Sequence, residues 1–138
     1  MIELARAETA PSPALSASAL AARCRASVKF VEQVLIDLQT GGFIVSSRGR
    51  FGGRRLARSA DEITLGQINR HMDGPLAPAP CASLTRHRTC DWCQDEATCD
   101  LRPVWVRVRD SIAAVMDSVS LADVVRESAS RQAGRYAI

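Results

Sequence analysis

Ser27-Val28-Lys29-Phe30-Val31-Glu32-Gln33-Val34-Leu35-Ile36-Asp37-Leu38-Gln39-Thr40-Gly41-Gly42 is the run on which the fold turns. Val31, Val34, Leu35 and Leu38 recur at i, i+3, i+4 and i+7, the spacing of a helix with one apolar face. Ser27 is placed to cap the first turn, and Gly41-Gly42 ends the run with a residue free to turn left-handed. The spacing predicts a helix over 28–40. Upstream, Ser16 or Ser18 caps a shorter helix through about Arg23, with a turn at 24–26 between the two. Ala10-Pro11-Ser12-Pro13 breaks off a helical stub at 2–6. Downstream, Phe43-Ile44-Val45 reads as a strand, 46–53 as a Gly/Arg loop and 54–57 as a returning strand. Two helices across a tight turn, then a hairpin with a basic tip, is the order of a winged helix-turn-helix.

The remainder predicts a mainly α chain. Thr64 caps a helix over 65–72, stopped by Gly74-Pro75. Residues 75–80 hold three prolines and form a stiff connector. Asp100 is placed to cap a long helix, with Pro103 tolerated in its first turn. Leu101, Trp105, Val108, Ile112, Val115 and Val119 step by four and three, a heptad seam that a lone helix cannot bury. The expected domains are a winged-helix reader over 1–74, a Pro-rich connector and cysteine loop over 75–99, a dimerisation helix over 100–125 and a flexible tail over 126–138.

Charge separates along the chain. Residues 1–60 carry nine Lys/Arg against four acids, and the rest nine Arg against eleven acids, so a polyanion partner is expected for the front half only. Ser27 and Lys29 suit phosphate, and Gln33 suits a base edge. Arg48, Arg50, Arg54 and Arg55 surround Gly49, Gly52 and Gly53, a loop whose backbone can approach phosphate and whose guanidinium groups suit a narrow minor groove. Double-stranded DNA, read as a near-palindrome by a homodimer, is the expected partner. A solvated hairpin with ordinary surface arginines is the competing reading.

Five cysteines stand at 24, 81, 90, 93 and 99. The opening residues carry Glu3, Arg6 and Glu8, unlike a signal peptide, and no apolar run approaches the ~18 residues of a membrane span. A reducing cytoplasm is expected, where Cys81, Cys90, Cys93 and Cys99 read as metal-binding or redox-active rather than as a disulfide framework. A four-thiolate zinc site, thiol–disulfide chemistry alone and unliganded thiols all remain open from spacing. A thiol oxidoreductase built on Cys90 and Cys93 would lack a βαβ pattern and a nearby base, so no enzyme is expected. Cys24 is expected to be a small buried residue, His87 a surface residue, Trp92 a shield for the site, and Trp105 part of a helix core.

Val28-Lys29-Phe30-Val31-Glu32-Gln33-Val34-Leu35 resembles the x-K-Y-L-E-Q-I-L recognition helix of the Rrf-two family of winged-helix transcriptional regulators. Arg48-Gly49-Arg50-Phe51-Gly52-Gly53-Arg54-Arg55-Leu56-Ala57 is similar to the family's R-G-x-x-G-G-Y-x-L-A wing, with Arg54 where an aromatic is usual. Ile63-Thr64-Leu65-Gly66, Cys99-Asp100-Leu101-Arg102-Pro103-Val104-Trp105 and Leu121-Ala122-Asp123-Val124 resemble its later landmarks, in order, over about residues 15–125. The resemblance, in the iron–sulfur branch of IscR-, NsrR- and RirA-like members, implies a dimeric DNA-binding repressor. It implies a two-iron or four-iron cluster held by Cys81, Cys93 and Cys99, with Cys90 additional. The family's first helix has about four turns, and only its end is expected at 1–6. Such a cluster would sense iron, redox state or nitric oxide, and zinc is the alternative.

Overall fold

The structure is a computed structural model that describes residues 1–8, 14–47, 49, 52–93 and 95–135. Six helices and a hairpin follow in order: α1 Ile2–Ala7, α2 Ala17–Cys24, α3 Val28–Thr40, β1 Ile44–Ser47, β2 Gly53–Leu56, α4 Leu65–Met72, α5 Arg102–Ser118 and α6 Leu121–Arg135. Short 3-10 turns stand at Ala60–Glu62 and Pro80–Ala82. The chain divides into two compact units, Met1–Thr64 with Ser120–Ile138, and Leu65–Val119.

The first unit is built on the helix pair. Ser16 Oγ accepts the Ala19 N–H at 3.1 Å and Ser27 Oγ accepts the Phe30 N–H at 3.2 Å, so both helices start at serine caps. The turn between them closes on Arg25, left-handed at φ 52°, with the Ala26 N–H reaching Ala21 O at 3.0 Å. Gly42, at φ 72°, ends α3 as its sequence requires. Val31, Leu35 and Leu38 on α3 are buried with Leu4, Leu20, Ile44, Leu56, Ile63 and Leu121. Each such aliphatic burial contributes about 1.5–3 kcal/mol.

The hairpin pairs Ile44 with Leu56 and Ser47 with Gly53. Sequence reading ended the first strand two residues early, because Ser46 and Ser47 carry no apolar signal. It also missed a third participant. Leu15 bridges Arg54, donating to its carbonyl at 2.9 Å and accepting from its N–H at 2.8 Å. Gly53 makes this approach possible, since a Cβ there would stand 2.7 Å from the Leu15 backbone carbonyl.

Two expectations at the C-terminal end are corrected. The single helix over 100–125 is two helices. Val119 is extended at φ −104°, ψ 116°, its carbonyl accepts the Leu65 N–H at 3.0 Å, and Leu121 donates to Ile63 O at 2.9 Å. The stretch 126–135, expected as part of a loose tail, continues α6. Ser120 and Asp123 cap α6 reciprocally: the Asp123 carboxylate accepts from the Ser120 N–H and hydroxyl at 2.9 and 2.6 Å, and the Asp123 N–H donates to Ser120 Oγ at 3.1 Å. Leu121, wholly buried, anchors the helix, and Arg6 reaches Ser128 at 3.0 Å. Asp100 does not cap α5; Leu101 holds that position without a side-chain bond.

In the second unit, Arg70 on α4 forms a two-pronged pair with Asp117 on α5 at 2.6 and 2.7 Å. Arg109 donates to Ala82 O at 2.7 Å and pairs with Asp110 at 2.6 Å, tying α5 to the Pro80–Ala82 turn.

Two outcomes follow. Gly53→Ala should cost about 1–3 kcal/mol in denaturant unfolding, because the obstructing atoms are backbone and cannot rotate away. No change in the midpoint would show that the Leu15 bridge is dispensable. The Ser120 hydroxyl, the Ser120 N–H and Arg126 hold the Asp123 carboxyl down from the ordinary 3.8 to about 2. A lowered folded value stabilises above the unfolded one, so this contribution is present above about pH 4 and fades as pH falls through about 2. Asp123→Asn should remove that pH-dependent component of the thermal midpoint; an identical pH profile in the variant would count against the cap.

Candidate nucleic-acid interface and cysteine loop

On α3 the residues left out of the core form an exposed face. Lys29, Gln33, Ile36 and Thr40 follow one another at helical spacing and all are exposed. Ser27 is exposed and spends its hydroxyl on the cap, while Gln33 Nε2 donates to Asp37 at 3.4 Å. Phe30, 63% exposed in the first turn, was not singled out from sequence, since an aromatic in an apolar run reads as core. It offers a surface suited to a thymine methyl or a sugar.

The wing arginines take different roles. Arg55 is exposed, whereas Arg54 lies half-buried across the hairpin with its guanidinium on Ser46 Oγ. Arg54 therefore replaces the family's aromatic as a packed residue of the wing. Arg48 and Arg50 lie outside the described residues. At the tip, Gly49 stands at φ 109° and its carbonyl accepts the Gly52 N–H at 2.8 Å.

The cysteine loop brings three thiols together. Cys93 Sγ is 3.8 Å from Cys99 Sγ, and Cys90 also hydrogen-bonds to Cys93. The backbone N–H groups of Leu101 and Arg102 point at the Cys99 sulfur and hold its pKa below the ordinary value. This is the positive end of α5, where a nearby thiolate is favoured. Hydrogen bonds with Cys90 and Cys99 push the Cys93 thiol up to about 12. Cys99 is therefore the sulfur of this pair readiest to be anionic. Cys81 is buried in the Pro80–Ala82 turn, 4% exposed, and does not share these bonds.

Flanking groups frame the loop. Glu96 Oε2 stands 3.0 Å from His87 Nε2 and 3.5 Å from Arg102 Nε, and Glu96 Oε1 is buried without a hydrogen-bond partner. His87 is thus a paired residue, more engaged than its sequence suggested. Trp92 is 94% exposed and shields nothing within the chain. Cys24 is exposed rather than buried, at the end of α2 beside an apolar hollow shared with Phe30.

The donor set can be tested against the two inorganic groups considered. A single zinc ion needs about four donors around one point. Among the described residues no group of three His, Cys, Asp or Glu is arranged to hold one ion. Cys90, Cys93 and Cys99 supply soft thiolate donors of the kind that iron–sulfur cores and zinc both take.

On α5 the heptad seam is uncovered. Leu101, Trp105, Val108, Ile112 and Val115 are all exposed, Leu101 at 60% and Val115 at 63%, and Val119 is half-buried. Trp105 is accordingly not a core residue of the chain. No helix among the described residues is long and apolar enough to cross a membrane.

Two helices across a tight turn followed by a two-stranded hairpin define a winged helix, the fold of many DNA-binding proteins. The model of the Rrf2 family, described as iron-dependent transcriptional regulators, matches residues 1–127, and the chain belongs to that family. It is 36% identical over 126 residues to an rrf2-like HTH-type transcriptional regulator of Rhodobacter capsulatus, covering 91% of this chain and 84% of that protein. The structure of CymR, the global cysteine regulator of B. subtilis, superposes with a TM-score of 0.73 at 29% identity, covering 91% of this chain and 87% of that one. T. potens IscR superposes with a TM-score of 0.69 at 28% identity, covering 92% and 78%. The chain is a DNA-binding transcriptional regulator and not an enzyme.

Lys29→Ala and Arg55→Ala should each weaken duplex binding and lower the slope of log affinity against log salt by about 0.9 for each phosphate no longer neutralised. A salt slope unchanged in both variants would remove these side chains from the interface.

Proposed function

We propose that this regulator is a homodimeric repressor that acts on chromosomal DNA in the cytoplasm and senses iron, redox state or nitric oxide through an iron–sulfur cluster. The observation that supports the reading most is the grouping of Cys90, Cys93 and Cys99 against the first turn of α5. Cys93 and Cys99 would be protein ligands, with Cys90 the third thiolate nearby. Cys81 becomes a ligand only if its buried turn opens. When bound, the cluster would supply an iron site that small oxidants or nitric oxide can attack.

The chain's own residues carry the remaining steps. The uncovered seam Leu101, Trp105, Val108, Ile112, Val115 and Val119 pairs with the same seam of a second chain. Pairing presents two α3 helices to one duplex, so the operator is a near-palindrome. Ser27 and Lys29 contact phosphate, Gln33 reads a base edge, and Arg48, Arg50 and Arg55 follow the backbone or the minor groove, with Arg54 bracing the hairpin. Cys99 joins the loop to the start of α5, so a change in its ligation alters how that helix begins.

Iron and acid-labile sulfide, assayed on anaerobically purified protein, test the reading. Wild-type chain should carry both, and Cys93→Ser or Cys99→Ser should lose most of each while retaining helix content. Wild-type protein containing stoichiometric zinc, or neither iron nor sulfide, would overturn the cluster.

A further inference from the structure

The 3.8 Å approach of the Cys93 and Cys99 sulfurs has a consequence in the chain without its cluster. We propose that Cys93 and Cys99 form an intrachain disulfide when the metal-free regulator meets an oxidant of the small-molecule disulfide class. This bond and the inorganic centre would then compete for the same two atoms. The competition rests on the sensor reading above, whereas the formation of the disulfide does not.

Three observations carry the pairing. The two sulfurs already lie side by side, so little loop movement is needed to bring them to bonding distance. Both lie in a short loop and both are partly accessible, so an oxidant can reach them. Cys81 is buried in its own turn and shares no hydrogen bond with them, which removes it as a rival. Cys90, which also hydrogen-bonds to Cys93, is the remaining competitor, and the Cys90→Ser variant tests it.

The step balances. One protein thiol, as its thiolate, attacks the small disulfide, forming a mixed disulfide and expelling one small thiolate. The second protein thiol, also as its thiolate, attacks the protein sulfur of that mixed disulfide, closing the Cys93–Cys99 bond and expelling the second small thiolate. The two protons of the protein thiols pass to the two released thiolates. The protein dithiol is oxidised by two electrons, and the small disulfide is reduced to two thiols. Glutathione disulfide is a suitable probe.

The experiment uses the full metal-free chain, incubated with glutathione disulfide, alkylated and analysed intact and by peptide fragmentation. Before alkylation the mass should fall by two hydrogen atoms, and after it the chain should carry two fewer alkyl groups than the reduced chain, with the link located between Cys93 and Cys99. Cys90→Ser and Cys81→Ser should leave it unchanged, and Cys93→Ser or Cys99→Ser should instead accumulate a stable glutathione adduct. A link between Cys90 and Cys93, or adducts on the wild type that never close, would overturn the pairing. Cobalt(II), added before and after oxidation, reports on the competition through its thiolate charge-transfer absorption. The proposal expects that band to vanish on oxidation and return with reductant; an unchanged band overturns the shared-atom claim. Disulfide formation in a chain that never takes up iron would leave this pairing standing while the cluster reading fails, so the two failures are distinguishable.

Discussion

The grouping of Cys90, Cys93 and Cys99 just ahead of α5 is the constraint on which the proposed sensing depends. A helix start leaves N–H groups without partners, and a side-chain oxygen usually takes them. At α5 the cap residue Leu101 makes no side-chain bond, the Arg102 N–H reaches Cys99 O at 3.3 Å, and the neighbouring Leu101 and Arg102 N–H groups lower the pKa of the Cys99 thiol. Cys99 stands three residues before the first helical residue of α5, so under the proposed sensing a change at its sulfur falls beside the start of that helix. That helix carries a long apolar seam left open to solvent.

The two compact units differ in how they are stabilised. The winged-helix unit has a real aliphatic core, with Leu4, Ile44, Ile63 and Leu121 fully buried. The Leu65–Val119 unit buries no residue of α5 and leans on polar ties, Arg70 to Asp117 and Arg109 to the Ala82 carbonyl. Exposed ion pairs contribute about 0–1 kcal/mol each. Under the proposed pairing such a unit would gain stability by covering its seam, on the helix that follows the thiol loop.

Much of the fold was legible in the residues. The 28–40 helix, its serine cap, its Gly42 exit and the 65–72 helix all declared themselves through period and caps, because they obey local rules. The break at Val119–Ser120 was not legible, since the apolar steps of the seam run up to it and the break is set by backbone bonds to Ile63 and Leu65, far away in sequence. The run after Val125 looked loose because it is polar, yet its helix is launched by Ser120, Asp123 and a buried Leu121. Cys90, Cys93 and Cys99 stand together as their spacing suggests, whereas Cys81, read as a ligand beside Cys93 and Cys99, is buried in its own turn. That Leu101, without a side-chain bond, would stand where Asp100 was expected to cap was hidden, because spacing identifies donors and does not orient them.

The central claim is that ligation of the thiol loop governs duplex binding. Its most direct test is the dissociation constant for one operator duplex, measured anaerobically on a single preparation before and after its iron is removed by chelation. The account predicts a shift of about fivefold or more, within the usual range for coupled sites. Equal constants in a sample shown to be stripped of its iron would contradict it.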